Sequence, residues 1–544
     1  MASKWFQVMV CVGSVFFTIL TVTYCRSVTS SSFKKEFKLD GLTSCKTDCD
    51  KIVSVVQSAE NDYIYLATKY TVKKLDSNLN PILDRKIQTY GPDTEISFML
   101  LRGSDLIICL YGEEGICELW DVSTLHQTIE GHNRSMIINP WESLTVAWIA
   151  KTDINGSDVM HVAIPTTYQK PAVAMIPLLS TRILPQRSEP HANFLAFIED
   201  GFGSPKSFLP PIPCLTTEIE PVYGFSTSHF NYFLKRHRNV QGRMETKLAR
   251  ICSGSPTYRS LIELPVECRY ANDNADSGDT KLSSAYFTNE ELYAVFTTTS
   301  ESEVKSIVCK YNIDSINQQF TERRKECLLG ITETTELEWY QYNTCPSKPV
   351  PSSKLNPYDL YSLREQLQRI PKFNFNISQL DDPDFCYDLD TAYPLGGSKP
   401  IVEKPLDNLK MKEVVTSILV LPTPNGEMIL LGDKEGYIHK IPSTGKKEVL
   451  LFDLDSAMLS SNGLFLSNDK TTVYATSSGK VMALPLIESW TTTQTPEDKN
   501  DDQDDGDGND DISIRNWVPF ACIAAILLAA TILTVCYIIY KKRK

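Results

Sequence analysis

Between Cys45 and Trp490 the chain alternates short apolar runs with polar and turn-forming residues, at a period near two rather than 3.6. That pattern predicts strands with one side buried. A unit recurs: YIYLATKYTVKKL from Tyr63, ELYAVFTTTSESEVKSIVCKY from Glu291, MILLGDKEGYIHKI from Met428 and TVYATSSGKVMAL from Thr472. Each is an apolar strand, a turn of small or polar residues and a second strand of opposite alternation, which is how a β-hairpin reads in sequence. Repeated hairpins of this size predict the blades of an all-β propeller, whose radial closure leaves only short, protected sheet edges; two stacked β-sandwiches are the rival. Spread over seven blades, the segment gives about 64 residues a blade against ~40–45 for a minimal one, so insertions are expected. A helical pattern stands out only at Pro357–Gln368 (PYDLYSLREQLQ).

Both ends carry longer apolar blocks. Trp5–Val22 follows Lys4 and precedes small polar residues, which reads as a secretory leader over residues 1–25, with an uncleaved anchor as the alternative. Trp517–Tyr540 holds no charge over its whole length, enough to cross a ~30 Å hydrocarbon layer as one helix, and KKRK at 541–544 follows it. Basic residues favour the cytosolic side, so the N-terminus is expected outside. The predicted order is a leader (1–25), an ectodomain (26–490), a stalk (491–516), a membrane helix (517–540) and a short basic tail (541–544). Lys541 and Lys542 also fit a dilysine retrieval signal, which makes the endoplasmic reticulum membrane the alternative to the plasma membrane.

Charge sharpens this order. Of the formal net charge of −13, most sits in residues 497–511, where nine acidic residues face one lysine. Such a run repels itself and reads as an extended stalk; it lacks the spacing and the final bidentate Glu of an EF-hand. A net acidic chain argues against a nucleic-acid partner held by a basic surface. The densest basic run of the ectodomain, Lys235-Arg236-His237-Arg238, is read as a hairpin turn: a solvated loop, or a contact for an acidic partner through Lys235, Arg236 and Arg238.

Fifteen cysteines change the picture further. With Cys11 and Cys25 in the leader and Cys522 and Cys536 in the membrane helix, eleven remain in an exported domain that should oxidise most of them, at least one being free or paired with another chain. Cys45 and Cys49 have zinc-like spacing but no second ligand pair nearby, which favours a local disulfide. Asn133, Asn155 and Asn376 stand in glycosylation sequons and are expected on surface loops. No catalytic motif is present; His126 and His132 are too far apart for one helical face, and Asp381, Asp382 and Asp384 suit turns better than glycoside hydrolysis. Neither an enzyme nor a cofactor, metal or small-molecule substrate is expected.

Five stretches carry a family resemblance. They are CLYGEEGICELWDV from Cys109; IPLLSTRIL from Ile176; VYGFSTSHFNYFL from Val222, running on to TKLARICSGSPTYRSLIELPVEC; SIVCKYNIDSINQQFTERRKEC from Ser306; and FCYDLDTAYPLGGS from Phe385. In this order they resemble the sema domain of semaphorins and plexins, the plexin version above all. The resemblance implies a seven-bladed propeller over about residues 40–490 and protein–protein recognition. It implies disulfides Cys109–Cys117 and Cys268–Cys327, with Cys252 joined to Cys345 or Cys386. The plexin PSI module, immunoglobulin-like repeats and cytosolic GTPase-activating region have no counterpart here, so only recognition carries over. The implied role is a cell-surface receptor, co-receptor or decoy for a semaphorin- or plexin-type partner. A membrane-anchored semaphorin-like ligand acting as a homodimer, and a quality-control protein retrieved to the endoplasmic reticulum, are the other readings.

Overall fold

The computed structural model describes residues 35–38, 51–58, 60–88, 94–111, 115–129, 145–151, 158–165, 179–184, 195, 208–209, 219–238, 243–253, 260–269, 280–298, 305–328, 382–383, 395–397, 399–423, 426–442, 448–450 and 463–486. The chain divides into two units, Met1–Thr491 and Thr492–Lys544, and every described residue lies in the first. The predicted leader, stalk, membrane helix, tail, three sequons and helix 357–368 all fall outside the described residues, as do Cys345 and Cys386. Among the described residues no helix is long and apolar enough to cross a membrane.

The described strands form seven sheets, taken here in chain order. Sheet 1 covers residues 52–86, sheet 2 residues 95–129, sheet 3 residues 146–209, sheet 4 residues 219–268, sheet 5 residues 280–312, sheet 6 residues 415–450 and sheet 7 residues 464–485. Within each, consecutive strands pair antiparallel, as the recurring hairpin predicts. The strand Lys35–Lys38 does not start sheet 1; it pairs with Lys480–Pro485 and so completes sheet 7.

Period-two alternation gives each sheet two apolar faces, and the cores follow the same order as the sheets. Tyr65 and Leu106 belong to a core between sheets 1 and 2, Ile107 and Val162 to one between sheets 2 and 3, and Ala163 and Phe233 to one between sheets 3 and 4. Leu234 and Leu292 share the core of sheets 4 and 5, Val308 and Leu431 that of sheets 5 and 6, and Leu430 and Val473 that of sheets 6 and 7. A seventh core, with Leu66 and Tyr474, joins sheet 7 back to sheet 1. The order of cores is cyclic.

Sheet 5 has three strands among the described residues, and the segment 401–411 bridges to the last of them. Met411 exchanges backbone hydrogen bonds with Ser306, and the N–H of Leu406 donates to the carbonyl of Val308. Upstream, Ile401–Glu403 pairs in parallel with Val266–Cys268 of sheet 4. One segment therefore edges two neighbouring sheets.

After sheet 5 the chain enters helix α1, Ile313–Leu328. Asn312 caps it, its side-chain oxygen accepting from the N–H groups of Asp314 and Ser315 at 3.1 and 3.2 Å. Ile313, Ile316 and Phe320, spaced i, i+3 and i+7, are buried in the core shared by sheets 4 and 5. The hydrophobic pattern singled out a helix only at 357–368 and not here.

Candidate interaction site

The basic run is not a hairpin turn. Lys235 through Arg238 continue the strand Phe230–Arg238, the second of sheet 4. Alternation sends their side chains to opposite faces. Lys235 and His237 share the face of Phe233, toward sheet 3; Arg236 shares the face of Leu234, toward sheet 5. Lys235 is 4% exposed and its amine lies 2.6 Å from the carboxylate of Glu263. Burial pushes this amine down from its ordinary value, and Glu263 opposes the push. Burial alone would raise Glu263, yet Lys235 and Lys247 hold the carboxyl below the usual range. Arg236 forms an ion pair with Glu220 and donates to the carbonyl of Leu282 at 3.1 Å. Arg238, at the end of the strand, is half-buried. The predicted exposed patch is therefore corrected: Lys235 belongs to a buried charge cluster. The strand continues through four basic residues because Glu220 and Glu263, on flanking strands, supply the opposite charge.

The disulfides are placed with similar clarity. Cys109–Cys117 bridges directly paired residues of adjacent strands in sheet 2, with Cα atoms 4.0 Å apart. Cys268 is bonded to Cys309 and not to the expected Cys327. Cys309 lies in the strand Ser306–Asn312, beside the end of sheet 4, whereas Cys327 lies at the far end of α1, some four turns further on. Cys252 is disulfide-bonded as well.

The segment that carried the last part of the resemblance has a packing role. Leu395–Gly396 adds in parallel to Ile262 and Glu263 of sheet 4. The Gly396 carbonyl accepts from Arg323 of α1 at 2.6 Å, and a Cβ on Gly397 would stand 2.6 Å from a methyl of Leu264. Arg324 donates to the carbonyl of Ser260 at 2.9 Å. Arg250, from sheet 4, donates to the side-chain oxygen of Asn317 at 2.9 Å and stacks 4.0 Å from the centre of the Phe230 ring. Three guanidiniums thus fasten α1 to sheet 4.

A polar depression lies where sheet 7 meets sheet 1, which sequence reasoning did not single out. A cavity of about 70 Å³ is lined there by residues that include Asp62, Ser77, Asn78, Asp469 and Tyr474. Its acids partly serve local turns: Asp469 accepts from Ser467 and Thr471, and the Tyr474 hydroxyl donates to the Ser77 carbonyl at 3.0 Å. Among the described residues no group of three or more His, Cys, Asp or Glu is set to hold a metal ion. The surface offers hydrogen bonding to a partner, and its signal in the sequence lay only in turns brought together from opposite ends of the ectodomain.

Comparison with known proteins places this geometry. Residues 273–465 match the model of the Sema domain. Plexin-B3 of Rattus norvegicus is 23% identical over 354 residues, 62% of this chain and 16% of that protein. Plexin-A4 of Homo sapiens is 23% identical over 454 residues, 72% of this chain and 22% of that protein. The solved full extracellular region of Plexin A4 superposes with a TM-score of 0.63 at 20% identity, covering 80% of this chain and 39% of that one. The chain thus spans about a fifth of the length of the curated relatives it matches.

Proposed function

We propose, with this plexin-like sema-domain protein as the premise, that residues 26–490 form a seven-bladed β-propeller with insertions that works by protein–protein recognition rather than by catalysis. The observation that carries the reading is the cyclic order of seven sheets and seven cores, closed by Lys35–Lys38 on sheet 7, in a chain similar to plexin extracellular regions. Closure of this kind leaves only short, protected sheet edges and leaves the loops free to vary. The partner is a semaphorin- or plexin-type protein, and the role is receptor, co-receptor or decoy. The membrane helix 517–540 and glycans on Asn133, Asn155 and Asn376 complete the reading. A specific contact needs about 1,600 Å², which one propeller face can supply.

The test is a binding screen on cells displaying the full chain, each probed with one soluble semaphorin or plexin ectodomain at two salt concentrations. Saturable binding of one probe is the expected result; failure of all probes on cells where surface labelling detects the chain sinks the recognition reading. Surface labelling of Lys541→Ser/Lys542→Ser against the parent decides the retrieval alternative, which requires that surface exposure rise in the variant.

A further inference from the structure

The seam between sheet 7 and sheet 1 differs from the others in joining sheets that are far apart in the chain. Sheets 1 and 2 follow one another, and two hydrogen bonds cross between them. The N–H of Ile96, near the start of the strand Glu95–Arg102, donates to the carbonyl of Lys69, just past the strand Ile64–Thr68, at 2.9 Å. The Tyr65 hydroxyl, from that same strand, donates to the carbonyl of Val122, just past the strand Cys117–Asp121, at 3.2 Å.

Both bonds recur where the ends of the ectodomain meet. The N–H of Ile52, which opens the strand Ile52–Gln57 of sheet 1, donates to the carbonyl of Ser478, just past the strand Thr472–Thr476 of sheet 7, at 2.7 Å. The Tyr474 hydroxyl, from the latter strand, donates to the carbonyl of Ser77, just past the strand Thr71–Leu75, at 3.0 Å. A third bond runs from the side-chain amide of Asn468 to the carbonyl of Ser58. In the core beneath, Ile52, Leu66 and Leu75 of sheet 1 meet Tyr474, Val481 and Ala483 of sheet 7. Lys35–Lys38 lies beyond Lys480–Pro485, pairs with it over four residues and adds the half-buried Phe37 at the margin of this core.

We propose that Lys35–Lys38 is a detachable strap on the outer edge of sheet 7 and not the clasp of the ring, so that the seam between sheets 7 and 1 stays shut when the strap leaves. The bonds across this seam join the first three strands of sheet 1 to the first two of sheet 7, and the strap interposes in none of them. They repeat the pattern of a seam between consecutive sheets, where no strand is borrowed from the other end of the chain. The strap rests on four paired residues and one half-buried ring, the kind of short element that opens locally while the body around it holds. The consequence is a sheet edge, Lys480–Pro485, that the molecule can cover or bare without opening the ring.

Hydrogen–deuterium exchange on the full chain, parent against Phe37→Asp, tests it. Peptides covering 35–38 and 480–485 are expected to lose protection by about tenfold, the worth of a half-buried Phe side chain, with less than about twofold loss in 52–57, 64–68 and 472–476. Phe37→Ala serves if the charge prevents folding. Tyr474→Phe combined with Asn468→Ala is the converse, removing two seam bonds under an intact strap, and should loosen 52–57 and 472–476 by about tenfold. Loss in 52–57 equal to that in 35–38 in the Phe37 variant, unchanged exchange of the strap in that variant, or failure of both Phe37 variants to fold overturns the proposal. Unchanged protection of the seam in the double variant overturns it as well.

Discussion

The two faces of sheet 4 share one backbone and almost nothing else. Toward sheet 5, Tyr232, Leu234, Leu248 and Leu264 enter a broad core with Phe320 of α1, and the Cys268–Cys309 bond crosses the same boundary. Toward sheet 3, alternate residues of the same strands place Lys235, His237, Lys247 and Glu263 on the same face as Phe233 and Ala249. One face relies on apolar area and a covalent link; the other relies on charge balance. Area tolerates single losses in proportion to their size, whereas a balanced buried charge fails when one member is removed.

That contrast breaks most sharply at Glu263. Glu263→Gln removes the carboxylate that lies 2.6 Å from the buried Lys235 amine and should lower stability by about 3–5 kcal/mol, measured by chemical denaturation. On the other face Tyr232→Phe removes one hydroxyl bond, 2.6 Å from Asn317, and should cost about 1 kcal/mol. Equal losses in the two would erase the distinction. Replacing Cys268 and Cys309 together by Ser should cost about 2–4 kcal/mol and, by limited proteolysis, expose the boundary of sheets 4 and 5 first. Gly224→Ala drives a Cβ to 2.1 Å from the Trp148 ring and should cost about 1–3 kcal/mol, with a shift in tryptophan emission that marks the sheet 3 side. Smallest of all, Lys73→Ala removes an exposed pair with Asp84 at 3.5 Å and should change stability by less than ~0.5 kcal/mol.

What was legible in the sequence was local. The hairpins from Tyr63, Glu291, Met428 and Thr472 became paired strands because a period of two needs only neighbouring residues to be read. The charge run at Lys235–Arg238 misled for the complementary reason: Glu220 and Glu263 lie on other strands, and four basic residues in a row read as a turn until those partners are placed. Helix α1 left a fair signal in Ile313, Ile316 and Phe320, masked by its many polar residues. The partner of Cys268 was taken from the resemblance, and the actual partner, Cys309, was set by the strand that edges sheet 5. The depression of Asp62 and Asp469 showed in the sequence only as separate turns, since it forms only once the two ends meet.

The pairing of Lys35–Lys38 with Lys480–Pro485 has a temporal side. Its partners stand about 440 residues apart, and a ribosome adding about 5–20 residues each second needs about 20–90 s to pass from one to the other. For that interval the earliest strand has left the ribosome and has no edge to join, while sheets 1 to 6 can assemble in turn behind it. The closing contact thus cannot form before residues 480–485 have been made, and a nascent chain halted before residue 480 holds Lys35–Lys38 without its partner strand.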